Sequence, residues 1–377
     1  MANARNPILL LDPLRLVAAL MVMAHHYASI LPTHPPQFLA EARIARPLTA
    51  ISMSWFDAGW IGVEVFFVLS GYVIALSGGR DGDGGGVGAR AFLRRRALRL
   101  APAAWICATL TAVVLCLVAD GRGVTLAWLR ALAFIPWWRL IDGSYWTLSI
   151  ELAFYASVAA WIAIGMRLER LAMLLAVASA AYWLAPVAHT DTVMWNLTLL
   201  PHGCFFALGM TLFAARSAGW RRREIAVAVL ASLAGVLQIL DRAGVMAAQS
   251  GTSGDALMPL ALLALAVVAI ARADAAEGLL ARIGAARLRT LGLMTYPLYL
   301  LHQNIGAVAI FALVAMGVPD AGAMILTAAA MIALAAFVAL RIEPDVRRLL
   351  AMLLGYRRPS YRGPARDNRP SASLRAG

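Results

Sequence analysis

The sequence predicts an all-α fold, a polytopic membrane helix bundle of about ten transmembrane helices. Three observations predict it. Of 377 residues, 62% are hydrophobic and 14% charged, far from the half-apolar, quarter-charged balance of soluble domains. Apolar runs of about twenty residues, the length that crosses about 30 Å of hydrocarbon, recur from end to end. All 33 basic residues are arginine, and nearly all stand in the short connections between those runs, where they report orientation.

The first run, 9–31, contains "LLLDPLRLVAALMVMAHHYASI". It carries Asp12 and Arg15 and no small-residue cleavage site follows it, so it is expected to be a retained helix rather than a signal peptide. The second, 58–77, carries Glu64 and Ser70, and the third, 101–119, follows the arginine cluster "FLRRRALRL". The stretch from Trp128 to Trp138 is shorter and holds Arg130 and Pro136; it reads as an interfacial helix with aromatic anchors, with a re-entrant piece as the alternative. The fourth run, 146–165, carries Glu151. Six more follow at 171–188, 197–215, 224–241, 256–272, 292–316 and 322–341. No polar stretch is long enough for a separate soluble domain. One membrane domain is therefore expected over 1–345, followed over 346–377 by a basic, disordered tail resting on anionic headgroups.

With the N-terminus in the cytoplasm, the cytoplasmic segments hold 26 arginines and the outer segments six, so both termini are expected inside. That bias accounts for the net charge of +13 without nucleic acid as a partner. Cys107, Cys116 and Cys204 are odd in number and lie in apolar runs, which implies neither a disulfide framework nor a metal site. The Gly- and Asp-rich stretch from Ser77 to Gly88 lacks the lysine of a phosphate cradle and is expected to be a flexible connector.

Ionisable groups inside apolar helices are costly and mark functional sites or pairs inside the bundle. Arg15 and His26 are eleven residues apart, about 20° from full registration on a helix, so they share a face; His25 points about 100° away. Arg15 has a second reading, a side chain snorkelling from the helix end. Glu64 and Glu151 fall at outer-half depths similar to that of His26, so three titratable groups from three helices are expected to converge. A carboxylate beside an imidazole raises its basicity, as activation of a hydroxyl requires; the alternative is that both glutamates only satisfy buried polar groups. Ser70 suits helix packing, with a substrate contact in the pocket as the other reading. Arg96 and Arg99 share a helical face at i, i+3, and paired guanidinium forks suit the phosphates of coenzyme A, although spacing alone fits an ordinary positive-inside cluster equally well.

The ordered set "LDPLRLVAALMVMAHH", "GWIGVEVFFVLSGYVI", "FLRRRALRLAPAAW", "YWTLSIELAFY", "FFALGM" and "LGLMTYPLYLLHQ" resembles the type 3 membrane acyltransferases, the O-acetylases of O-antigen, exopolysaccharide and Nod factors together with antibiotic acylases. The resemblance implies a catalytic histidine at His26 preceded by Arg15, an acyl-coenzyme A element at Arg96 and Arg99, an acidic residue at Glu64, a Ser-x-Glu element at Ser149 and Glu151, and a Tyr-x-x-Tyr-x-x-His element at Tyr296, Tyr299 and His302. Pro13 stands where the family has glycine, and Leu152 and Ala153 where it often has an acidic or amide residue. A histidine simply hydrogen-bonded within the bundle is the other reading of His302.

The expectation is transfer of an acyl group, acetyl by family frequency, from acyl-coenzyme A to a hydroxyl of a glycan or lipid-linked sugar in the bacterial inner membrane. His26 serves as general base or as acyl carrier. Only about 36 residues follow the last run, so the acceptor is expected to reach the bundle or a separate periplasmic partner to help. A glycolipid transporter is the rival; it would use the same buried charges, but no inverted repeat relates the two halves.

Overall fold

A computed structural model describes residues 8–51, 53–78, 88–185, 192–250 and 254–355. Residues 79–87 of the expected Gly- and Asp-rich connector and 356–377 of the expected basic tail lie outside them, while 346–353, expected to be disordered, belong to a helix, Glu343–Leu353.

The described chain is helical and, among these residues, has no strand. In order, α1 (Leu11–His25), α2 (Gln37–Glu41), α3 (Ser54–Asp57) and α4 (Gly62–Gly78) precede the longer α5 (Ala89–Cys116). Then come α6 (Gly121–Leu132), α7 (Trp146–Ala163), α8 (Leu168–Leu184), α9 (Val193–Leu197), α10 (Gly203–Ala218) and α11 (Arg222–Ser250). The chain continues through α12 (Leu257–Ala271), α13 (Ala273–Ile283), α14 (Ala285–Leu301), α15 (Asn304–Ala315), α16 (Asp320–Phe337) and α17 (Glu343–Leu353). Each of the ten expected runs carries a helix. Among the described residues, by length and apolarity alone, five helical stretches suffice to cross a membrane, and up to seven if each bent pair counts as one.

One half of the bundle packs α4 on α10, with α8 and α11 behind. The approach is close because small residues face each other: a Cβ at Gly71 would collide with the Phe206 carbonyl, and one at Gly209 with the Val68 carbonyl. Glycine at such crossings lets helices gain dispersion contacts that lipid cannot offer. The other half gathers α5, α7, α14 and α16, and α1 lies between the halves against α4 and α14.

Two departures from regular helix matter for the site. After His25 the first span continues as a π-helical turn, His26–Ile30, a geometry that recurs at functional positions. The expected straight span 292–316 is instead two helices, α14 and α15, meeting at 70°. The break falls at His302 and Gln303, and its backbone groups find partners elsewhere. The Tyr27 hydroxyl donates to the His302 carbonyl at 2.8 Å, and the Asn304 amide donates to Asp142 Oδ2 at 2.8 Å. An apolar interior tolerates a broken helix only when such substitutes are supplied. The expected interfacial stretch, Trp128–Trp138, overlaps only the end of α6, which begins earlier, with the Asp120 side chain accepting from the Gly123 amide as an N-cap does.

Candidate functional site

At the arginine-rich end of the bundle, the N-terminal turns of α1, α5 and α14 and the whole of α17 surround an open vestibule of about 880 Å³. It narrows into a pocket of about 100 Å³ between α1, α4, α5, α7 and α14, and Arg15, Arg99, Gly292 and Tyr296 line both spaces. A cavity of about 150 Å³ takes a benzene ring, so the inner pocket suits a thin chain and the vestibule a larger group.

Seven residues singled out in the sequence line the inner pocket: Arg15, Ser70, Arg96, Arg99, Glu151, Tyr296 and Tyr299. Arg15 lies 3.2 Å from Asp12. Arg96 donates to Ser77 Oγ at 2.7 Å and lies over the rings of Phe92 and Tyr155 at 5.3 and 5.4 Å, which fixes a long side chain whose planar face suits aromatic stacking. The Tyr155 hydroxyl donates to Glu151, and Ser70 Oγ donates to the same carboxylate oxygen at 3.4 Å. Glu151 therefore belongs to the arginine-lined pocket. Ser149 does not: its hydroxyl donates to the Trp146 carbonyl at 2.6 Å, and it faces a separate small cleft beside α6.

His26 and His302 stand together behind this pocket rather than in it. His26 Nδ1 is 2.6 Å from His302 Nε2, and the two rings are stacked at 4.9 Å. The only role open to a carbonyl is acceptor, so His302 Nδ1, 2.8 Å from the Tyr299 carbonyl, carries a hydrogen. In a neutral ring His302 Nε2 is then an acceptor, and His26 Nδ1 must donate to it. What remains on His26 is a lone pair on Nε2, on a half-buried ring. His302 itself is fully buried. Its neighbour Tyr299 links the pair to the pocket: the tyrosine ring lies 5.8 Å from His302 and 5.6 Å, edge to face, from Phe66.

The three groups expected to converge do not. Glu64 is buried at 2% exposure and accepts from Gln238 of α11, Glu151 faces the arginines, and His26 is partnered by a second imidazole instead of a carboxylate. Depth along a helix says nothing of a group's azimuth in the bundle. His25 turns away from His26 as the helical geometry implied, and its Nδ1 donates to the Phe56 carbonyl at 3.0 Å.

Asp142 is the residue that sequence reasoning missed. Fully buried, it accepts from the Ser144 amide at 2.9 Å and hydroxyl at 2.7 Å while also holding the Asn304 amide, so one carboxylate anchors both the entry to α7 and the restart of the chain after His302. The signal was local: an Asp followed two residues later by Ser, just ahead of an apolar helix. Among the described residues, no group of three His, Cys, Asp or Glu side chains is placed to hold a metal ion.

The family model described as an acyltransferase domain matches residues 8–342. The chain belongs to this acyltransferase family. The match takes in every residue that lines the inner pocket and the His26–His302 pair. Acyltransferase MdmB of Streptomyces mycarofaciens is similar to this acyltransferase, with 28% identity over 323 aligned residues, 78% of this chain and 77% of the relative. No solved structure matches this membrane acyltransferase.

Proposed function

We propose that this acyltransferase moves an acyl group, acetyl first of all, from acyl-coenzyme A to a hydroxyl of a cell-surface glycan or related sugar. It does so as a multi-pass protein of the bacterial inner membrane, with both termini cytoplasmic and a membrane domain over 1–345. The observation that carries this is the His26–His302 pair, linked through the Tyr299 ring to a narrow pocket whose mouth is ringed by arginine.

The acyl arm of the donor lies in the inner pocket, with its pyrophosphate on Arg96 and Arg99 and Arg15 close to the junction with the vestibule. Its thioester passes Tyr299 and Phe66 to reach His26. The acceptor hydroxyl gives its proton to His26 Nε2 as its oxygen forms a bond to the thioester carbonyl carbon. The carbon–sulfur bond then breaks, and the imidazolium returns the proton to the leaving thiolate. General base catalysis of this kind contributes about 10²- to 10⁴-fold. His302 positions His26: by accepting from Nδ1 it fixes the tautomer that leaves Nε2 free to act as the base. Glu151 and Tyr155 hold Arg96 in place, and Glu64 braces α4 against α11.

The test uses purified protein in bilayers, labelled acetyl-coenzyme A and a panel of sugar acceptors. Acceptor-dependent release of free coenzyme A and labelled ester is the expected result. Translocation of a glycolipid with no thioester consumed would replace this function with transport.

A further inference from the structure

The vestibule holds more positive charge than a thioester arm and a pyrophosphate use. Six arginines line it, Arg15, Arg95, Arg99, Arg289, Arg347 and Arg348, against the carboxylates of Asp12 and Glu343. They come from four helices far apart in sequence, so the fold, and not one local run, assembles them. Arg289 stands on the first turns of α14, is exposed, and makes no ion pair among the described residues. Arg347 and Arg348 stand on α17, which packs against α5 across the mouth. Glu343, buried to 4% exposure, pairs with Arg347 from one turn earlier, and Arg348 pairs with Asp345 at 2.6 Å on the outer side.

The order of groups along a coenzyme A thioester maps onto this space. With the acyl arm in the inner pocket, the pyrophosphate falls where Arg15 and Arg99 line both chambers, and the ribose with its 3′-phosphate falls beyond it. There the lining belongs to the vestibule alone. We propose that Arg289, Arg347 and Arg348 form a phosphomonoester subsite that holds the 3′-phosphate of the donor, so that α17 is part of the donor site. This rests on the donor assigned under the proposed function. Guanidinium forks from two helices can meet a dianionic phosphate with several charge-assisted hydrogen bonds, which a single helix end cannot. An anionic lipid headgroup offers the same phosphate chemistry at the same membrane surface, so the experiment separates the two.

The probes are acetyl-coenzyme A and acetyl-3′-dephospho-coenzyme A, which differ only in that phosphate. KM is measured for both in phosphatidylcholine bilayers, with the parent, with the single variant Arg289→Gln and with the triple variant Arg289→Gln/Arg347→Gln/Arg348→Gln. The parent is expected to favour the phosphorylated donor by about tenfold or more. The triple variant is expected to bring the ratio of the two KM values to within about twofold, and Arg289→Gln to an intermediate value even should α17 loosen in the triple. A ratio unchanged in both variants, or a parent that does not discriminate, overturns the subsite. A defect that appears only when phosphatidylglycerol is added, with the donor ratio intact, assigns the cluster to lipid and also overturns it. A parent that consumes neither thioester while still inserted removes the donor assignment itself.

Discussion

At the residue scale the site turns on which ring nitrogen of His26 is left unprotonated. Because the Tyr299 carbonyl takes the Nδ1 hydrogen of His302, the lone pair that remains in the pair is His26 Nε2. His302→Ala is therefore expected to lower kcat by about 10- to 100-fold with KM for the donor unchanged, and His302→Gln, whose side-chain oxygen can still accept from Nδ1, to recover part of the loss. Equal losses in both variants would give His302 a purely structural role. His25→Ala, which removes a bond to the Phe56 carbonyl, is expected to lower thermal stability by about 1 kcal/mol and to leave kcat within a few-fold of the parent. Arg96→Ala/Arg99→Ala is expected to raise KM for acyl-coenzyme A at least tenfold, and unchanged affinity by direct binding would return both residues to setting topology. Helical periodicity made much of this legible. Spacing set Arg96 beside Arg99, and both line the pocket, because an i, i+3 relation survives in any regular helix; the stripe expected to join Arg15 to His26 runs into the π-helical turn, and Arg15 lines the pocket while His26 does not. Glu64 was misplaced because its direction is decided by Gln238, 174 residues away, and no local pattern carries that.

At the scale of elements, the break between α14 and α15 is the feature that brings His302 to His26, and it was hidden in the sequence. The run 292–316 is apolar enough for one span, and its proline, Pro297, lies inside α14 rather than at the bend. What permits the bend lies in other elements, in Tyr27 and Asp142. Asp142→Ala leaves two buried amides and a hydroxyl without their acceptor, at about 1–3 kcal/mol for each group left unpaired. A lower melting temperature together with reduced kcat is the expected outcome, and a fully active, equally stable variant would show that the break holds itself. The helix crossing makes a sharper contrast. Gly71→Ala forces a Cβ onto the Phe206 carbonyl and is expected to cost about 1–3 kcal/mol. Gly244→Ala, inside α11 with nothing within 4 Å of the new atom, is expected to be neutral or to stabilise by up to about 1 kcal/mol. Thermal unfolding in detergent of the two variants checks both signs at once.

At the scale of the whole molecule, composition and run length were sufficient for an all-helical membrane bundle, because an apolar solvent leaves a helix as the way to satisfy backbone groups within one segment. How the helices meet was not available from them. The bundle encloses a wide, arginine-ringed chamber at one end, a narrow pocket that shares Arg15, Arg99, Gly292 and Tyr296 with it, and a paired imidazole on the far side of Tyr299. That arrangement fits a donor whose charged half stays outside while its reactive end travels inward. The most direct measurement is the rate of ester formation from labelled acetyl-coenzyme A by bilayer-inserted parent and His26→Gln protein, with insertion verified for both. The predicted result is a loss of at least about 100-fold with donor binding retained. A His26→Gln enzyme within a few-fold of the parent would contradict it.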